Sequence, residues 1–309
     1  MSVPMPTHSS SSASVLQPKE SQIHPFLGAR SSLNVRRRLV NALVILLTSL
    51  AALFAAGLLI YLLCYVLSQG LRYINLDFFT QLPTPNGEPG GGMGEAFQGS
   101  LILIALASLM GVPLGLFTGI YLAEFGRGPF AQGVRFLVDV LNGIPTIIFG
   151  LLAWVLIVIP MQTFSGLAGG FALGMIMIPI VTRTSEDVLR LVPRELREAS
   201  LALGATEART ILQVVLPAAR NGIITGVVLA MARVAGETAP LLMTAFGTTF
   251  WNTDITQPID ALPLRIFQFT LSPYQQQVNQ AYAGAFVLIV LILLASLAVR
   301  LATGGFKQH

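Results

Sequence analysis

Long apolar runs separated by short charged segments dominate the chain after residue 38. A helix needs about 20 predominantly apolar residues to cross a hydrocarbon core of about 30 Å. The pattern predicts six membrane-spanning helices, at residues 39–71, 97–123, 136–160, 167–182, 221–246 and 281–301. The fourth run is short and is supported by its two clear neighbours. The sequence therefore predicts an all-α integral membrane protein whose membrane domain covers residues 36–301.

The lysines and arginines are distributed unevenly among the predicted loops. With a cytoplasmic N-terminus, all but three of the eighteen Lys and Arg residues lie in cytoplasmic segments. The exceptions are Arg72 and Arg265 in outer loops and Arg233 within a predicted span. Because cytoplasmic loops of membrane proteins carry an excess of positive residues, we expect both termini to be cytoplasmic.

The two ends of the chain differ from its middle. Residues 1–35 are rich in Ser, Pro and Gln and hold too few apolar residues to offset the entropy of ordering. They are predicted to form a disordered cytoplasmic tail, and residues 302–309 a short cytoplasmic tail. The apolar run after Arg38 is far longer than the core of about 7–15 residues in a signal peptide, so it is predicted to be a retained helix.

Composition excludes several classes of function. The chain is 54% hydrophobic and 10% charged, with a mean hydropathy of +0.73. Its net charge of +4 comes from dispersed arginines without a solvated basic stripe, so no nucleic-acid partner is expected. The single cysteine, Cys64, rules out an intramolecular disulfide. All three histidines (His8, His24, His309) lie in the tails, so neither a catalytic nor a metal site is expected.

Residues 183–220 hold most of the interior charge and predict two short helices joined by a glycine turn. Pro193 suits the first turn of one helix, and Gly204 can end it with a positive φ. Thr206 can cap the second helix, which we expect to end at Pro217. An ordinary amphipathic connector would have the same pattern, so the periodicity alone does not assign a role.

Seven residues of this loop resemble the coupling motif of ABC-importer permeases. They keep its spacing, with Ser and Val in place of the usual Ala and Ile: Glu198, Ala199, Ser200, Gly204, Val214, Leu216 and Pro217. The resemblance implies the six-helix type I importer fold, called MetI-like, and docking of this loop on an ATPase. The chain has no Gly-Lys dipeptide and hence no P-loop. ATP and Mg²⁺ are therefore expected on that partner, with no cofactor in this chain.

An arginine and a glutamate lie four residues apart in the fifth predicted span. If the span begins near Arg220, Arg233 lies roughly 20 Å into the membrane, at a cost on the order of 3 kcal/mol. The spacing predicts that Glu237 lies on the same helix face and pairs with it. Pro240 cannot donate a hydrogen bond to the carbonyl of Gly236, which predicts a kink.

Two interpretations of these charges stay open. They can form a buried ion pair that fixes the packing of the span. Alternatively, the planar donors of Arg233 can bind a passing oxyanion, while Glu237 prevents tight capture.

Two stretches resemble permeases of oxyanion importers. Arg233 followed by Gly236 and Glu237 is similar to permeases for phosphate, sulfate and molybdate, and the continuation GETAPL at 236–241 resembles the phosphate group. Residues 142–150, NGIPTIIFG, are similar to the third span of the same proteins. The resemblance covers about residues 36–301 and implies that Arg233, Glu237 and Thr238 line a substrate pathway.

The same resemblance implies a multi-pass permease of a bacterial inner membrane that imports inorganic phosphate. Its implied partners are the lipid bilayer, a homologous permease subunit, an ATPase dimer and an extracytoplasmic phosphate-binding protein. Three alternatives remain, namely a permease for another oxyanion, an intramembrane enzyme that uses Glu237 as an acid or base, and a purely structural assembly subunit.

Two smaller patterns predict packing. Gly111, Gly115 and Gly119 recur every four residues and predict a small-residue face for close helix approach. Asp139 lies one turn after Arg135 and is a candidate counter-ion for it or for a neighbouring helix.

Overall fold

The structure is a computed structural model that describes residues 29–304 except 86 and 89, and the side chains among these except 29–35, 300 and 302–304. Most of the predicted tails at 1–35 and 302–309 therefore lie outside the described residues. The described part is helical, with one isolated parallel bridge between Phe246 and Ile259. The predicted all-α class is confirmed.

The helices have the following bounds. They are α1 (Ala29–Gly70), α2 (Leu76–Thr80), α3 (Gly94–Ile120), α4 (Pro129–Gly143), α5 (Thr146–Ala153), α6 (Ile159–Met161), α7 (Gly166–Arg190), α8 (Arg194–Ala202), α9 (Glu207–Thr210), α10 (Leu216–Ala235), α11 (Ala239–Leu242), α12 (Leu262–Thr270) and α13 (Gln275–Gly304). Single π-helical turns follow α3 at Tyr121–Phe125, α5 at Trp154–Val158 and α9 at Ile211–Val215.

Residues up to Ile60 form one unit, and the chain from Tyr61 onward forms a second. The described part of the first unit is a single stretch of helix α1. Its side chains from Arg36 to Ile60 are exposed, and no charged residue follows Arg38 in this unit. A helix that is apolar on all sides requires hydrocarbon or protein around it, which agrees with the predicted first span.

The core of the second unit contains a close contact between α3 and α7. A Cβ on Gly111 would lie 2.8 Å from the Cβ of Met177, and one on Gly115 would lie 2.7 Å from the Cβ of Val181. Gly119 faces the Cβ of Ser185 at the same close range. The predicted small-residue face is confirmed, and it lets the two helix backbones approach each other closely.

The third predicted span is broken. α4 ends at Gly143 and α5 begins at Thr146, and the two helices differ in direction by 99°. A residue before proline is forced away from helical geometry, and Ile144, which precedes Pro145, has φ −73° and ψ 133°. The expectation of a continuous helix over 136–160 is therefore wrong.

Two other predicted spans have different ends in the structure. α7 continues to Arg190 through residues that were predicted to be loop, and α10 ends at Ala235, well before residue 246. Within the part of the chain that the structure describes, five helices are long and apolar enough to cross a membrane, and six if the bent pair of α4 with α5 and α6 counts as one span. The six-helix prediction agrees with the second count.

Candidate functional site

Arg233 lies in the last turn of α10, and the helix ends two residues later. Gly236 has φ −95° and ψ 0°, and its N–H donates to the carbonyl of Arg233. Glu237 therefore lies beyond the helix, where the four-residue spacing no longer places it on the same face. Among the described residues, neither side chain has a hydrogen bond or ion pair. The predicted pairing of Arg233 with Glu237 is therefore absent from this structure.

The short segment between α10 and α11 packs against the other broken helix. Pro240 lies in the first turn of α11, where its missing N–H costs nothing. A Cβ on Gly150 of α5 would lie 2.6 Å from the Cα of Pro240. Phe149, Val234 and Leu241 belong to one buried apolar cluster. The two breaks, at residues 144–145 and 236–238, thus belong to neighbouring, tightly packed elements.

The surroundings of Arg233 determine what its charge can do. Its side chain is exposed, while Glu237 and Thr238 are half-buried beside it in sequence. An arginine at membrane depth faces a protein partner or a watery cavity, and irregular backbone at that depth is tolerated where it lines such a cavity. This arrangement presents a free guanidinium fork, which can bind a tetrahedral oxyanion through two N–H groups.

The loop at 191–215 folds as two helices around a glycine turn. α8 begins directly after Pro193, Gly204 has φ +84°, and the hydroxyl of Thr206 accepts a hydrogen bond from the N–H of Arg209. The predicted turn and cap are therefore confirmed. The Oγ atom of Ser200 lies 2.8 Å from Oγ1 of Thr210, which ties the two helices together.

The motif residues of this loop present a surface. Glu198, Ala199, Gly204 and Pro217 are exposed, whereas Ser200 and Leu216 are half-buried. Two leucines that the motif does not include, Leu203 and Leu212, are 90% and 65% exposed. An apolar surface of this kind on short helices is typical of helices that seat in a groove on a partner.

Pro217 does not end the second helix of the loop, contrary to the prediction. The helical chain runs from Glu207 to Ala235 without interruption. The π-helical turn at Ile211–Val215, in which the N–H of Leu216 donates to the carbonyl of Ile211, lies directly before the proline. Pro217 falls in the first turn of α10, so the change of hydrogen-bond register accommodates its missing donor.

Ion pairs that the sequence did not reveal surround a buried carboxylate near the end of α7, just before the loop at 191–215. Arg135 donates through Nε to Oε1 of Glu186 at 2.7 Å, and Nη2 of Arg190 lies 2.6 Å from the same oxygen. Of the two partners predicted for Asp139, the structure gives the one on a neighbouring helix, because Asp139 lies 4.0 Å from Arg183 of α7. Arg135 pairs with Glu186 instead, because the side chain of Glu186 is 1% exposed and that of Asp139 is 56% exposed, and charges attract more strongly away from water.

A second buried cluster joins α12 to the start of α3. Arg265 donates through Nε to Oδ2 of Asp260 at 2.6 Å, and its Nη2 lies 3.2 Å from Oε1 of Glu95. Burial raises the pKa of Asp260 to about 6, although the charge of Arg265 opposes this rise. No local pattern places Glu95 in this cluster, because it lies far in sequence from Asp260 and Arg265.

Solved structures with a similar fold come from ABC transporters. A chain described as the inward-facing MetNI methionine ABC transporter matches with a TM-score of 0.55 and 18% identity, over 69% of this chain and 94% of that chain. A chain of an amino acid ABC transporter solved with histidines matches with a TM-score of 0.51 and 18% identity, over 69% and 94%. The fold is therefore that of a type I ABC-importer permease, as predicted.

Sequence comparison gives the family. The profile of the family described as binding-protein-dependent transport system inner membrane component matches residues 111–307, and the chain belongs to this family. It is similar to the phosphate transport system permease protein PstA of Yersinia pestis, with 42% identity over 88% of this chain and 92% of that protein. PstA of Xylella fastidiosa strain 9a5c is 46% identical over 88% of this chain and 95% of that protein.

A relative from an archaeon belongs to the same set. The probable phosphate transport system permease protein PstA of Methanocaldococcus jannaschii is 33% identical over 86% of this chain and 94% of that protein. The predicted membership in the importer permeases, with a multi-pass location in the inner membrane, is confirmed.

Proposed function

We propose that the chain is a permease subunit of an ATP-driven importer that carries inorganic phosphate into the cytoplasm. The relatives named above are phosphate transport system permeases over most of their length. The observation that carries the proposal is the exposed guanidinium of Arg233, which has no partner within the described part of this chain and lies beside the helix break at 236–238.

The break next to Arg233 supports reversible binding of phosphate. The guanidinium of Arg233 supplies charge and two parallel donors for two phosphate oxygens. Thr238 adds polar groups next to the break, and the half-buried carboxylate of Glu237 lowers the net positive charge. A pathway must bind an ion well enough to admit it and weakly enough to release it, and the acid next to the break serves release.

The loop at 183–220 would dock on the ATPase through α8 and the turn at Gly204. The proposed assembly contains this chain, a homologous PstC-like permease, a PstB-like ATPase dimer and a PstS-like binding protein outside the membrane. ATP and Mg²⁺ bind to the ATPase, and this chain has no catalytic role. Both termini lie in the cytoplasm. Closure of the ATPase dimer moves the docked loops as rigid bodies and alternates the opening of the pathway.

Uptake by the reconstituted four-component complex tests the proposal. Proteoliposomes that contain ATP are given radiolabelled phosphate, sulfate or molybdate outside, each with its matched binding protein. We expect ATP-dependent uptake of phosphate and none of the other two anions. Preferential uptake of sulfate or molybdate would establish the alternative oxyanion function. Chemical turnover by the isolated subunit without the ATPase would establish the enzyme alternative, which uses Glu237 as an acid or base.

A further inference from the structure

One arginine of α8 contacts two other elements and the linker before its own helix. The guanidinium of Arg197 donates to both carboxylate oxygens of Glu124, through Nη2 at 2.7 Å and through Nε at 3.2 Å. It also donates to the carbonyl of Leu189 in α7 at 2.9 Å and to that of Val192, in the linker after α7, at 2.5 Å. The two side chains are only 20% and 10% exposed. The docking helix is thus fixed to the π-helical turn after α3 and to α7.

An arginine of α4 also contacts the same π-helical turn. Arg135 donates through Nη2 to the carbonyls of Leu122 at 2.7 Å and Gly126 at 3.2 Å, and through Nε to Glu186 of α7. The turn at Tyr121–Phe125 therefore lies between an arginine of α8 and an arginine of α4. A bidentate guanidinium fixes direction as well as distance, so displacement of one helix is passed to the other.

From α4 the contacts continue to the proposed pathway. α4 leads through the bend at Ile144 and Pro145 into α5, and Gly150 of α5 packs against the backbone of Pro240. Pro240 follows the break at residues 236–238. A contiguous set of contacts therefore joins the docking helix to the backbone next to Arg233.

We propose that the pair formed by Glu124 and Arg197, here called the strap, makes α8 and α4 move as one body when the ATPase displaces the docking loop. The proposal rests on the proposed function for its motor. It assigns Glu124 and Arg197 as positioning residues, which transmit movement and do not touch the transported ion. Since contiguity alone does not demonstrate coupling, the test measures the movement itself.

The first test is a distance measurement that does not depend on the transported anion. Spin labels are placed at Glu195→Cys on α8 and Gly133→Cys on α4 in a Cys64→Ser background, in the complete complex. Both sites are exposed, and a Cβ at Gly133 meets no atom within 4 Å. We expect the same interspin distance without nucleotide and after trapping with ATP and vanadate. In the Glu124→Gln, Arg197→Gln double variant we expect the distance to change on trapping. A change in the parent complex, or no change in the double variant, would overturn the proposal.

The second test measures uptake per ATP hydrolysed. We expect Arg197→Gln to lower this ratio about tenfold, within the range typical of coupling between sites, while the ATPase still copurifies. The charge swap Glu124→Arg with Arg197→Glu should recover part of the lost uptake per ATP hydrolysed. Arg127→Gln, an exposed arginine next to the same turn, is the matched control and should leave the ratio unchanged. Glu124→Gln leaves the docking helix intact and replaces Arg197→Gln if that variant does not assemble.

The two proposals can fail separately. If the parent complex imports sulfate and not phosphate, the proposed substrate is wrong, and the ratio is measured with sulfate. An unchanged ratio in Arg197→Gln or Glu124→Gln, with normal assembly, would show that the strap transmits nothing.

Discussion

At the scale of the residue, the end of α10 decides the role of Arg233. A continuous helix would place Glu237 one turn above the arginine, and the two charges would largely satisfy each other. The helix instead ends at Ala235, and the exposed guanidinium is left without a partner in the described residues. This geometry favours a role in anion binding over the alternative of a packing ion pair.

Substitution of Arg233 separates these two roles. Hydrogen bonds to charged groups contribute about 1.5–3 kcal/mol, so we expect Arg233→Gln to lower phosphate uptake about 10- to 100-fold. Arg233→Lys keeps the charge and loses the planar fork, so its phosphate uptake should lie between that of the parent chain and that of Arg233→Gln. Uptake is measured in proteoliposomes, and assembly by copurification of the ATPase. Arg220→Gln, on the same helix and also exposed, is the control. Uptake that survives in Arg233→Gln would support the packing role instead.

Asp260 makes a prediction about pH. Burial raises its pKa from an ordinary 3.8 to about 6, so the folded chain binds more protons than the unfolded chain between these values. Stability therefore decreases as the pH rises through this window, by about 3 kcal/mol for a shift of about two units. Asp260→Asn cannot titrate, and its apparent melting midpoint in detergent should fall less between pH 4 and 7 than that of the parent chain.

Asp254 is the matched control for this pH dependence. It is exposed, and hydrogen bonds from the hydroxyl and the N–H of Thr256 lower its pKa. The contribution of Asp254 to stability is therefore lost as the pH falls, whereas that of Asp260 is lost as the pH rises. The environment assigned to Asp260 is wrong if the melting midpoint of Asp260→Asn falls with pH as much as that of the parent chain. It is also wrong if the smaller fall is seen in Asp254→Asn instead.

At the scale of the element, the contact between the two broken helices leaves no room for added volume. A Cβ at Gly150 would lie 2.6 Å from the Cα of Pro240, which is backbone and cannot move aside as a side chain can. Overpacking of this kind costs about 1–3 kcal/mol. We expect Gly150→Ala to reduce phosphate uptake and leave ATPase copurification intact. Gly143→Ala, where a Cβ meets no atom within 4 Å, should behave like the parent, and equal effects of the two changes would refute the contact.

The docking loop makes a separate prediction about assembly. Leu203 is 90% exposed in this chain, so its replacement by serine removes no internal contact of consequence. If it seats in a groove of the ATPase, burial of a leucine is worth about 1.5–3 kcal/mol. We expect Leu203→Ser to weaken ATPase copurification about tenfold or more while the melting midpoint of the isolated chain stays unchanged. Leu191→Ser, at an equally exposed leucine before α8, is the comparison.

The elements also show what the sequence can and cannot predict. The helix, turn and cap around Gly204 and Thr206 follow from local signals, and all three are present. The bend at Pro145 had a local signal too, but the long apolar run around it favoured one straight span. The pair of Glu124 with Arg197 left no trace in the pattern, because its partners are 73 positions apart and only packing brings them together.

At the scale of the whole molecule, the contacts at the helix ends determine how often the chain crosses. α3 ends next to the docking helix, where Glu124 pairs with Arg197, and begins next to α12, where Glu95 lies 3.2 Å from Arg265. α7 begins where the N–H of Gly166 donates to the carbonyl of Gln257, in the segment before α12. α4 thus starts near the docking helix α8, and α6 ends near the start of α7. We therefore expect the bent pair to cross once, despite its 99° bend.

Cysteine accessibility checks this crossing. In a Cys64→Ser background, Arg127→Cys, which precedes α4, should react with an impermeant maleimide only from the cytoplasmic side, as should the docking-loop control Glu195→Cys. Gln162→Cys, which follows α6, should react only from outside, together with Gln275→Cys at the start of α13. All four positions are exposed. A re-entrant hairpin would place residues 127 and 162 on the same side, and the docking loop and the segment before α12 would then face the same compartment. Because the ends of α3 and α7 contact these two segments separately, we expect opposite labelling and hence six crossings.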